Sequence, residues 1–135
     1  MLRGREVYET NQRETSVAIA TPSELVVMVY DRMFEQLRLV LAGLQAGQDV
    51  AEPAGKALDL ITDGLQSCLD RERGGEVAQN LDLLYNWACA EILRARLRLD
   101  PGPIEGVLRV LSPVAEAWRE QAQALADKPA QAMGV

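Results

Sequence analysis

The side chains able to do chemistry in this sequence are few, and they are poorly placed for it. There is no histidine, which removes the commonest general base and metal ligand and rules out the Glu-x-x-His pairs of di-iron helical bundles. Asp59, Asp63 and Asp70 fall on the polar side of one helical pattern and read as a solvated face. Cys68 and Cys89 are the only cysteines and form no CxxC pair, so neither a zinc site nor a redox motif is suggested. Both read as small core residues. The turn Arg71-Glu72-Arg73-Gly74-Gly75 lacks the spacing and the Lys-Ser/Thr of a phosphate-binding loop. Tyr30, Tyr85, Trp87 and Trp118 have the ring area for a cofactor pocket, but at helical spacing such rings are more often core or interface residues. No catalytic, cofactor-binding or metal-binding residue is expected, and the chain does not read as an enzyme.

The totals point the same way. A chain of 135 residues is long enough to bury a core without disulfides or a metal and is expected to be one domain. Hydrophobic residues make up 48%, rich in Leu and Ala, and aromatics only 4%, which favours helices packed on helices. The net charge of −6 argues against a nucleic-acid surface or a polybasic membrane-binding patch. There is no apolar run for membrane insertion, and the opening MLRGREVYETNQRE is too polar for a signal peptide, so a cytoplasmic protein is expected. An acidic chaperone or interaction module fits this balance.

The elements that would hold these residues are four amphipathic helices over about 21–46, 53–70, 75–99 and 103–126, joined by short polar breaks. They predict an all-α, antiparallel up-down four-helix bundle. Residues 1–20 form a mobile arm or short helix whose Tyr8, Val17 and Ile19 can dock on it, and 127–135 a disordered tail.

The first helix opens on Thr21-Pro22-Ser23-Glu24, a capping box with Pro at its first turn. At about 100° per residue, Val26, Val27, Val29, Tyr30, Met33, Phe34, Leu37, Val40, Leu41 and Leu44 share one face. Leu25, Met28 and Leu39 form a second, thinner apolar strip among the charged residues of the opposite side. The next helix places Ala54, Ala57, Leu58, Ile61, Leu65, Cys68 and Leu69 on one face, with Gly55 and Gly64 marking either close packing or local mobility.

The third helix again has two apolar faces. Val77, Leu81, Leu84, Tyr85, Ala88, Ile92, Ala95 and Leu99 make one, and Leu83, Trp87, Ala90, Leu93 and Leu97 the other. Burial between two neighbours or a binding groove would each account for the second face. The last helix carries one stripe, from Ile104 through Val107, Leu108, Leu111, Val114, Ala115, Trp118 and Ala122 to Leu125, with Pro113 on its polar side, where it should kink the helix or divide it into two segments.

Four blocks, in order, carry a resemblance: the arm with Tyr8, TPSELVVMVYD from Thr21 to Asp31, GGEVAQNLDLLY from Gly74 to Tyr85, and AWRE from Ala117 to Glu120. Together they resemble the FliS family of flagellin-specific export chaperones. The resemblance implies a cytosolic helical bundle that binds the disordered C-terminal segment of flagellin, prevents its premature polymerisation and hands it to the flagellar type III export gate. It also implies an N-terminal arm, with Tyr8, that covers part of the groove until flagellin displaces it. Leu25, Tyr30, Asp31, Asn80, Leu81, Leu84 and Tyr85 then become motif positions. Combined with the second apolar faces, the expected flagellin-binding set is Leu25, Met28, Tyr30, Asp31, Leu39, Asn80, Leu83, Tyr85 and Trp87. The family usually has Gly after the Tyr-Asp pair where Arg32 stands here, and Pro113 is a second departure. A monomer or weak dimer is expected. The alternative is a non-catalytic regulatory or structural bundle acting through self-association.

Overall fold

The computed structural model describes residues 22–127. Helix α1 (Pro22–Gln45), helix α2 (Ala51–Asp59) continuing into a π-helical segment (Leu60–Gln66), helix α3 (Arg71–Arg98) and helix α4 (Gly102–Ala126) follow one another, with no strand among the described residues. α1 packs on α2 and α4, and α3 packs on α4, α2 and the π segment, so α1 and α3 lie across the diagonal of a closed four-helix ring. The three connections are only a few residues long, so consecutive helices must run antiparallel. The resulting bundle is the one that the four amphipathic patterns predict.

Its core draws on every helix. Tyr30, Met33, Leu37 and Val40 of α1 meet Ala54 and Ala57 of α2, Ile61 and Leu65 of the π segment, Tyr85, Ala88, Ile92 and Ala95 of α3, and Ile104, Val107, Leu111 and Ala115 of α4. Each fully buried aliphatic side chain contributes about 1.5–3 kcal/mol. Alanines at Ala54, Ala57, Ala88 and Ala95 let the large residues opposite interdigitate.

Short polar side chains begin the helices. Asp49 Oδ1 accepts from the Ala51 amide at 3.0 Å, Asp70 Oδ1 from the Arg73 amide at 3.0 Å, and Asp100 Oδ1 from the Gly102 amide at 2.9 Å. Each satisfies an orphan donor of the first turn. The expected Thr21 cap lies outside the described residues, as do the arm residues Tyr8, Val17 and Ile19 and the tail from 128 onward. Ser23, at the start of α1, is buried.

Several core expectations change. The second helix begins at Ala51, two residues before Pro53, and its last turns are π-helical. The i→i+5 turns use extra residues, so positions beyond them fall out of the 3.6-residue register. Cys68, expected in the core, is exposed beyond the segment, while Cys89 is half-buried against the core. Gly64 serves close packing: a Cβ there would lie 2.7 Å from Val29 Cγ1.

Val77, expected on the main face of α3, is exposed, and Ala78 is buried instead. The cause is Gly75, with φ 51° and ψ −124°, which kinks the helix between its first turn and the rest. Leu99 is exposed because it lies past the helix end in the left-handed conformation, φ 54°, where the Asp100 amide returns to the Ala95 carbonyl and closes the turn. Leu125 is exposed in the last turn of α4. Pro113 sits exposed on the outside of α4, and the helix runs through it without dividing.

Candidate functional site

The expected binding residues separate into three places. Tyr30 and Tyr85 lie in the core and do not reach the surface, at 0% and 1% exposure. Their hydroxyls meet across the diagonal at 2.7 Å. The two diagonal helices are therefore tied through one buried hydrogen bond. Burial pushes both hydroxyls above the ordinary phenol value, so both stay protonated, as a hydroxyl-to-hydroxyl bond requires. The Tyr30 ring also packs on Phe34, whose other side carries the Arg38 guanidinium at 5.9 Å.

The second place is the outer face of α1. Met28 is 54% and Leu39 57% exposed, with Leu25 half-buried beside them and exposed Arg32 and Glu35 between them. Arg32 thus occupies the outward strip. A cleft of about 270 Å³ opens between the end of α1 and the start of α2, lined by Leu39, Gln36, Val50, Pro53 and Lys56. Asp31 stands at the α4 side, where its carboxylate accepts from Arg119 Nη2 at 3.0 Å while Arg119 Nε reaches Glu116. Such exposed ion pairs contribute at most about 1 kcal/mol. Asp31 therefore aligns α1 with α4 at the edge of a second cleft, of about 420 Å³, floored by Phe34 and Ala115.

The third place is the outer face of α3. Leu83 is 67%, Leu93 45% and Leu97 83% exposed, with exposed Ala90 on the same stripe and half-buried Trp87 at its edge against the core. Asn80 is exposed one turn before Leu83. Because α1 and α3 are diagonal and both turn their Tyr side chains inward, their outer faces point away from each other. The α1 and α3 residues do not form one groove. The residues the sequence reading left out of the set, Leu93 and Leu97, are among the most exposed, and their membership of the second α3 face was the signal that could have included them. Val110 of α4 is also exposed, on a helix whose pattern showed only one stripe.

A polar network borders the α3 stripe. Gln66, the last residue of the π segment, donates from Nε2 to Asp82 Oδ1 and to Asn86 Oδ1, both at 2.9 Å. Arg71 holds the other Asp82 oxygen at 3.0 Å, and this contact keeps the Asp82 carboxyl below the ordinary carboxylate range. At the far end of the stripe Arg94 binds Glu91 through both oxygens, at 3.0 and 2.6 Å, which lowers the Glu91 carboxyl in the same way. Burial raises the Cys89 thiol and keeps it protonated. Among the described residues no cluster of His, Cys, Asp and Glu could hold a metal, and no helix is long and apolar enough to cross a membrane. The arrangement offers apolar surface and hydrogen-bonding edges, which suit binding.

Comparison with known proteins decides what kind of binding protein this is. A family model described as "Flagellar protein FliS" matches residues 4–125. The chain belongs to the FliS family. It is 38% identical over 119 residues to the flagellar secretion chaperone FliS of Salmonella typhimurium, an alignment that spans 87% of this chain and 88% of that protein. The corresponding chaperones of Escherichia coli and Vibrio cholerae are 33% identical over 124 residues and 32% identical over 115 residues. These alignments cover 87% and 84% of this chain, and 88% and 84% of the relatives. The resemblance carried by the TPSEL and GGE blocks therefore holds, and so does the reading of a non-enzyme: this FliS-family chain is a flagellar secretion chaperone. Within it, Tyr30 and Tyr85 hold the scaffold, and Asp31 and Asn80 lie at its surface.

Proposed function

We propose that this chain binds the disordered C-terminal segment of flagellin in the cytoplasm, keeps it from polymerising and delivers it to the flagellar type III export apparatus. The observation that supports this reading is the pair of exposed apolar faces, Met28 and Leu39 on α1 and Leu83, Leu93 and Leu97 on α3, on a flagellar secretion chaperone. Such faces suit a segment that folds as short amphipathic helices on docking. Ordering it costs about 2–5 kcal/mol, which the apolar area must exceed.

The two faces point in opposite directions, so one short helix engages only one of them. A segment that uses both wraps the bundle, and going half-way around roughly 40 Å of surface takes on the order of a dozen extended residues. The arm, residues 1–20, leads into Pro22, within two turns of Leu25 and Met28. In this reading Tyr8, Val17 and Ile19 cover the α1 strip until flagellin displaces them.

The test is calorimetric titration with a synthetic peptide of the flagellin C-terminal segment. Micromolar or tighter binding, lost at least ten-fold in Leu83→Glu, supports the reading, and deletion of residues 1–18 then raises affinity. No heat at tens of micromolar, together with a stable dimer in sedimentation, overturns it in favour of self-association.

A further inference from the structure

The outer stripe of α3 has the spacing of a coiled-coil seam. Leu83, Asn86, Ala90, Leu93 and Leu97 follow alternating steps of three and four residues, the a and d pattern of a heptad. All five are exposed, and the seam runs for about 21 Å at 1.5 Å per residue. Four of the five are apolar. The fifth is held in place from outside its own helix.

The Asn86 side-chain oxygen accepts from Gln66 Nε2 at 2.9 Å, and Gln66 is itself fixed by Asp82, which Arg71 grips. That leaves the two N–H donors of Asn86 with no partner among the described residues. Gln66 reaches α3 from the end of the π segment, and π turns are found disproportionately at functional sites. The arrangement resembles the single polar residue that fixes register in an otherwise apolar coiled coil.

The seam is too small for a stable pair of these chains: at roughly 21 Å by 10 Å it offers well under the about 800 Å² per partner of a standard interface. It matches a single docked helix. Its ends differ in charge, with exposed Glu76 before Leu83 and exposed Arg98 beside Leu97, where Arg94 is already held by Glu91, so it favours a segment with an acidic residue at the Leu97 end.

We propose that Asn86, oriented by Gln66, sets the register in which one amphipathic helix of the flagellin segment docks on α3, by donating to an acceptor on that helix. The proposal rests on the flagellin reading above. Asn86 selects among alignments and adds little affinity, because an apolar residue in its place would pack on any register.

The experiment compares two synthetic peptides by calorimetry: the flagellin C-terminal segment, and the same segment with one alanine inserted within its apolar repeat. The insertion rotates the following residues by about 100°. The wild-type chain is expected to bind the inserted peptide at least ten-fold more weakly. Asn86→Leu binds the native peptide as tightly as wild type or tighter, yet separates the two peptides by less than three-fold. Gln66→Leu moves the ratio the same way, with thermal melts showing that it remains folded. An undiminished ten-fold ratio in both variants overturns the register role while leaving the flagellin reading intact, as does a wild type that binds both peptides equally. A wild type that binds neither peptide overturns both.

Discussion

Removing one hydroxyl at a time from the Tyr30–Tyr85 pair tests whether these residues are scaffold. In Tyr30→Phe, the Tyr85 hydroxyl loses its partner 2.7 Å away and is left unmet in the core. An unmet buried polar group costs about 1–3 kcal/mol. Tyr85→Phe strands the Tyr30 hydroxyl, at 0% exposure, in the same way. The expected loss is about 1–3 kcal/mol for either single variant.

The double variant removes both hydroxyls and leaves neither one stranded. It should be no less stable than Tyr85→Phe alone, so the two changes should fall short of additivity by about 1–2 kcal/mol. Urea denaturation followed by far-ultraviolet circular dichroism at pH 7 measures all four proteins, and the slopes should agree because the buried area is unchanged. Costs that simply add would refute the pairing. Scaffold residues also leave recognition alone. Either single variant, at a temperature where it is folded, should bind flagellin peptide within about three-fold of wild type.

Met28→Glu should leave stability within about 0.5 kcal/mol, since Met28 is 54% exposed, while weakening flagellin peptide; a melted protein would place Met28 in the core. Gly75→Ala should destabilise by about 1–3 kcal/mol although a Cβ there meets nothing within 4 Å, because the cost comes from φ 51° alone. A neutral Gly75→Ala in the same urea assay would mean that the kink relaxes into a continuous helix.

Periodicity alone determined that there are four helices, and that α1 and α3 each carry an apolar face beyond the one the core consumes. Met28 and Leu39 on one helix, and Leu83, Leu93 and Leu97 on the other, are exposed as that reading requires. The reason is that a helix wheel depends only on local geometry, which a sequence states directly. The motif blocks were equally legible, and they carried the family.

What the sequence could not state is where each helix stops following its ideal period and which helices are neighbours. The π segment moves Cys68 outward and brings Gln66 to Asn86, while the Gly75 kink exchanges Val77 for Ala78. Both are departures from regular helix that a fixed 100° step does not anticipate. Periodicity already put Tyr30 and Tyr85 on the core faces of α1 and α3, but only the diagonal placement of those helices brings their hydroxyls together to bond each other. The same placement turns the two spare apolar faces apart. One apparent groove is two surfaces, because in a four-helix ring diagonal helices share their inner sides and turn their outer sides in opposite directions.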